Sequence, residues 1–60
     1  MMIAGMNVEL GKEFNVNGVI IKIEAGKNEG KFKFTWNGRV ISGNQSLELT
    51  EKKIRYAQTM

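Results

Sequence analysis

From Lys31 to Trp36 the chain alternates polar and aromatic residues without a break, Lys-Phe-Lys-Phe-Thr-Trp, and then reaches Asn37-Gly38. No other stretch restricts the fold as tightly. Successive side chains of an extended strand point to opposite faces, so Phe32, Phe34 and Trp36 share one side and Lys31, Lys33 and Thr35 the other. Asn-Gly supplies the two positive-φ residues of a type I′ turn, whose twist matches that of antiparallel strands on either side. Arg39 to Ser42 is the expected return strand. Burying three aromatic side chains is worth roughly 1.5–3 kcal/mol each before conformational costs, the heaviest apolar load in the chain.

Phe14-Asn15-Val16-Asn17-Gly18-Val19-Ile20-Ile21 reads as a second hairpin. Compared with Phe34 to Ile41, it repeats the Phe, the second Asn, the Gly and the final Ile at matching positions. Duplication and independent choice of Asn-Gly both account for that, and both imply the same corner geometry. Between the hairpins runs Ala25-Gly26-Lys27-Asn28-Glu29-Gly30, a polar loop with glycines near both ends. If Glu24 stands opposite Lys31, the register of a four-strand meander follows. One face then carries the rows Val16–Val19–Trp36–Arg39, Phe14–Ile21–Phe34–Ile41 and Lys12–Ile23–Phe32–Gly43. The other carries Glu13–Lys22–Lys33–Ser42 and Asn15–Ile20–Thr35–Val40. Nearly all the large apolar residues fall on one side, and a one-residue slip of any strand would undo that sorting.

The ends of the chain are less constrained. Met2 to Val8 reads as a first strand interrupted or bulged at Gly5, followed by a turn at Leu10-Gly11. Ser46-Leu47-Glu48-Leu49 alternates as a short strand would. Beyond it two readings stand. In one, Thr50 caps a helix whose Ile54 and Ala57 share a face. In the other, a single 3₁₀ turn leads into a closing strand with Ile54 and Tyr56 pointing inward. A four-strand meander with one apolar face has to be covered. The expected fold is therefore all-β or β-rich: one domain over residues 1–60, a small antiparallel meander curled into an SH3- or OB-like barrel, with the C-terminal segment as a short helix or a closing strand.

Composition narrows function chiefly by what is missing. There is no Cys, no His and no Asp, so Ser-His and Cys-His pairs, disulfides and thiolate or imidazole metal sites are excluded. Sixty residues also leave a marginal core and little room for a concave pocket. No catalysis, no metal and no cofactor are expected. The apolar start, Met1 to Met6, is too short for a membrane span and lacks a basic leader, so a cytoplasmic protein without membrane contact is expected. Net charge is +3, a tilt towards polyanionic partners.

Three groups of residues are candidates for function. Lys22 and Lys33 are expected to be neighbours across two strands, with Lys31 and Lys27 nearby, a set suited to contacting the phosphate backbone of DNA or RNA. The same lysines would otherwise simply splay into solvent. Trp36 and Arg39 close the tip of one hairpin, where the guanidinium would stack on the indole or the indole would receive a base. Ile20 and Val40 fall on the outward face and suggest a patch covered by the C-terminal segment or a second subunit. The basic run Lys52-Lys53-Ile54-Arg55 would enlarge the lysine surface if it lay beside it. The first functional expectation is a small non-catalytic nucleic-acid-binding or nucleic-acid-associated regulatory protein using Lys22, Lys27, Lys31, Lys33, Trp36 and Arg39. The alternative is a protein-interaction module (an inhibitor, an accessory subunit or a homo-dimer) working through a sheet edge or the Ile20/Val40 patch.

Overall fold

Both Asn-Gly corners turn the chain where their chemistry places them. In the computed structural model, which describes residues 1–60, Asn17 and Gly18 have φ of 51° and 91°, and Asn37 and Gly38 have 48° and 82°. The first corner joins β3 (Glu13–Val16) to β4 (Val19–Ala25), and the second joins β5 (Lys31–Trp36) to β6 (Arg39–Ser46). These four strands form one antiparallel sheet in sequence order. Ahead of them, β1 (Met2–Ile3) and β2 (Met6–Asn7) make a separate hairpin, and α1 (Leu47–Gln58) follows the sheet. The molecule is strand-rich and antiparallel with one helix. β3 does not pair with β6, so the strand pairing shows no closed barrel.

The apolar face is where alternation puts it. Val16, Val19, Ile21, Ile23 and Phe34 are buried beneath Ile54 and Ala57 of α1 and Ile3, Ala4 and Val8 of the N-terminal hairpin. Met6, Phe14, Phe32 and Trp36 pack around this core, partly buried. The helix and the hairpin cover the face that curling of the sheet was expected to close.

Register differs from expectation in two places. Between β4 and β5, Glu24 pairs with Lys33 rather than Lys31, and Ile21 rather than Val19 pairs with Trp36. The ladder extends inward to Gly26, whose N–H donates to the Lys31 carbonyl at 2.8 Å, leaving the shorter loop Lys27–Gly30. This approach depends on glycine: a Cβ at position 26 would lie 2.9 Å from the Lys31 carbonyl carbon. A slip of two preserves the parity of the strand, so the faces survive while the rows change. Between β5 and β6, the pairing runs Trp36–Arg39, Thr35–Val40, then Phe34–Ser42 and Phe32–Gln45. Two extra residues on β6 therefore bulge. The first bulge sets Ser42, not Ile41, opposite Phe34, and Ile41 is exposed instead of buried in the core row.

The termini correct three further expectations. Met2 to Val8 is not one strand, because Ala4 and Gly5 (φ 52° and 77°) fold it into the β1–β2 hairpin. Ser46 to Leu49 is not a strand either. Ser46 is the N-cap of α1, its Oγ accepting from the Leu49 N–H at 3.2 Å, and Glu48 lies in the positively polarised first turn. Thr50 is inside the helix rather than its cap, and is fully buried. Of the two C-terminal readings the helix is the one found: Thr50, Ile54 and Ala57 line its buried stripe, whereas Tyr56 faces out.

Polar contacts add to this thin apolar stripe. Asn17 Nδ2 donates to the Ala57 and Gln58 carbonyls at 3.1 and 2.9 Å, and Gln58 Nε2 donates to the Ala4 carbonyl at 2.9 Å. Carbonyls at a helix C-terminus lack intrahelical partners, and the β3–β4 corner supplies donors for two of them.

Candidate interaction surface

The sheet presents two unlike surfaces. Its outward face carries Lys22, Lys31 and Lys33, but also Glu13 and Glu24. Glu13 pairs with Lys22 across β3 and β4, and the two-residue shift sets Glu24 opposite Lys33. Lys22 and Lys33 are consequently not cross-strand neighbours. Glu24 Oε1 lies 3.8 Å from the Nζ of each, so one carboxylate stands between the two ammonium groups. Lys27 is exposed in the adjoining loop. This is a charge-mixed face, with its positive potential partly cancelled locally.

Ile20 and Val40 lie on the same outward face but in adjacent rows: Val40 pairs with Thr35, which pairs with Lys22, and Ile20 pairs with Asn15. They are 36% and 52% exposed. α1 packs on the other side of the sheet, so the C-terminal segment does not cover them, and the Lys52–Arg55 run does not join the lysines of the sheet.

The core side offers a groove at its margin. There α1 leaves the border of β5 and β6 incompletely covered, opening a cleft of about 460 Å³ lined by Trp36, Ile41, Leu49, Lys52, Lys53 and Tyr56. The helix supplies four of these at i, i+3, i+4 and i+7, a second stripe beside the buried one. The β6 bulge supplies Ile41 by turning it out of the core row. Ile41, Leu49 and Tyr56 are 45%, 46% and 65% exposed. Trp36 forms the wall, its ring 6.3 Å from Phe34 and 6.2 Å from Tyr56, tilted against both.

The charges that line the groove are of one sign, with Glu48 and Glu51 beyond Lys52 on the helix. Lys53 Nζ donates to Gln45 Oε1 at 3.0 Å and sits 6.0 Å above the Phe34 ring. Gln45, itself buried, donates through Nε2 to Thr50 Oγ1, which in turn donates to the Ser46 carbonyl. This chain of bonds locks the start of α1 to the end of β6 and fixes where Lys53 points. Lys52 and Arg39 pair with no carboxylate. Arg39 is exposed opposite Trp36, yet makes no cation–π contact with the indole; the contact of that type is Lys53 with Phe34.

The six expected nucleic-acid contacts are thus divided. Lys22, Lys31 and Lys33 occupy the outward face with Lys27 in the loop, while Trp36 and Arg39 belong to the opposite face, Trp36 lining the groove and Arg39 pairing with it across the β5–β6 corner. Ile41, Leu49, Lys52, Lys53 and Tyr56 did not stand out as a set in the sequence. Their signal was the helical spacing from Leu49 to Tyr56, hidden while Ser46–Leu49 read as a strand. Comparisons with protein-family models, curated proteins and solved structures find no match.

Proposed function

We propose that this protein is a non-catalytic interaction module whose binding surface is the groove between β6 and α1. The observation carrying this reading is that a small, otherwise well-sorted fold leaves Trp36, Ile41, Leu49 and Tyr56 together on one surface. Single exposed apolar residues are ordinary, but a contiguous apolar set with a polar rim is the usual form of a docking surface, even where, as here, the depression is shallow. A second reading, contact of DNA or RNA phosphates by Lys22, Lys27, Lys31 and Lys33, draws on the net charge of +3. The position of Glu24 between two of those lysines weakens it.

Panning a random peptide library against the wild-type chain and against Leu49→Lys tests the first reading. Leu49 is half exposed, so the variant keeps its fold, which circular dichroism verifies. Enrichment of peptides that bind Leu49→Lys at least about tenfold more weakly, a loss of about 1.4 kcal/mol, is expected. Absence of enrichment, or binders indifferent to the substitution, would overturn it. Salt-sensitive oligonucleotide binding that Lys22→Glu with Lys33→Glu abolishes and Leu49→Lys spares would put the second reading in its place.

A further inference from the structure

We infer that the groove accepts an acidic peptide segment anchored by a bulky apolar side chain, with the anchor against Trp36, Ile41, Leu49 and Tyr56 and flanking carboxylates meeting Lys52 and Arg39. This rests on the reading of the groove as the binding surface and adds the chemistry of the partner.

Charge complementarity carries the inference. The lining holds two lysines and no acid. The helix does have carboxylates on the far side of Lys52: Glu51 Oε1 binds Arg55 at 3.1 Å, and Glu48, one turn before Lys52, makes no ion pair with it. Lys52 and Arg39 are exposed and without ion pairs, so a carboxylate brought to this rim meets cations that need not first release a partner. A basic segment would meet the same charges as repulsion, which is how like-signed rims reject wrong partners.

The other occupants fit less well. A second copy seated groove to groove would bring its own Lys52, Lys53 and Arg39 against the first set. A nucleic-acid base needs an open aromatic face and polar groups for its edges. Trp36 is instead packed against Phe34 and Tyr56, and the groove's apolar lining includes the aliphatic Ile41 and Leu49.

The test is an NMR titration of the ¹⁵N-labelled full chain with three short peptides sharing one phenylalanine–leucine pattern and flanked by glutamate, glutamine or lysine. Oligothymidylate is the fourth probe. The glutamate peptide is expected to move the Trp36 indole, Leu49, Lys52 and Tyr56 signals, and to bind at least about tenfold more tightly than the lysine peptide at low salt. That preference shrinks as salt rises, because the rim charges are exposed. Arg39→Glu with Lys52→Glu is expected to reverse the order of the two peptides. Equal binding of all three peptides in the groove would overturn the charge inference and leave the docking reading standing. No movement of groove signals with any peptide would overturn both. Tighter binding of oligothymidylate at the same signals, or shifts there that grow with protein concentration alone, would replace the acidic peptide by nucleic acid or by a second copy.

Discussion

At the scale of single residues, small polar and small bare positions decide more than the large apolar ones. Gly26 lets the β4–β5 ladder run two residues further than the loop composition suggests, because the Lys31 backbone occupies the space a side chain would need. Asn44 Oδ1 lies 2.8 Å from the same hypothetical Cβ and accepts from the Asn28 N–H, so the loop, β4 and β6 converge there. Backbone cannot yield cheaply at such a contact. Gly26→Ala is expected to destabilise the fold by about 1–3 kcal/mol, read as a lower urea midpoint with an unchanged m-value. An unaltered midpoint would mean that the register is held by something other than this close approach. On the outward face, Thr35 Oγ1 is buried without a hydrogen-bond partner, and nothing in the structure explains it.

At the scale of elements, the two Asn-Gly corners share a backbone shape but do different work. Asn37 stays within the sheet, its Oδ1 accepting from the Ile20 N–H and its own N–H donating to the Ile20 carbonyl. Asn17 reaches across to α1 and binds two carbonyls at its C-terminal end. Glycine at either position keeps the positive φ and removes the side chain. Asn17→Gly is therefore expected to cost about 1–2 kcal/mol and to speed amide exchange in the last turn of α1. Asn37→Gly should leave exchange in that turn unchanged. Equal helix fraying in both variants would show that α1 is held by its apolar stripe alone.

At the scale of the whole molecule, one helix and one short hairpin cover a four-strand sheet, and no disulfide assists them. A domain of this size has roughly 0.05–0.15 kcal/mol of stability per residue, a small total. Ile54 is fully buried against the sheet, and Leu, Ile or Met truncation to alanine in a core costs about 2–5 kcal/mol. Ile54→Ala should consequently lower the stability of sheet and helix together, with far-UV circular dichroism and Trp36 fluorescence changing in one transition. Separate transitions by the two probes would show that the sheet survives without its helix. The same economy accounts for the groove: a helix of 12 residues, about 18 Å long, cannot cover the whole apolar face, and the uncovered margin is where Ile41, Leu49 and Tyr56 meet.

What the amino-acid sequence determined by itself was the sorting of the sheet. The Lys31–Trp36 alternation assigned the two faces, and both Asn-Gly corners were legible, because strand parity and positive φ are local properties of a few residues. The β4–β5 shift of two left that sorting intact for the same reason. Tertiary structure alone decided the rest. Ser46–Leu49 alternates like a strand but becomes the first turn of a helix, since Ser46 can cap it and the helix places Thr50, Ile54 and Ala57 on one stripe over the core. The β6 bulges, for which Gly43 was the one local signal, expel Ile41 and bring Gln45 inward to bind Thr50 and Lys53. The candidate site was hard to read because it is made by those two events together: the local signals, Ser46 as a cap and the helical spacing from Leu49 to Tyr56, competed with a strand-like alternation that packing over the core overruled.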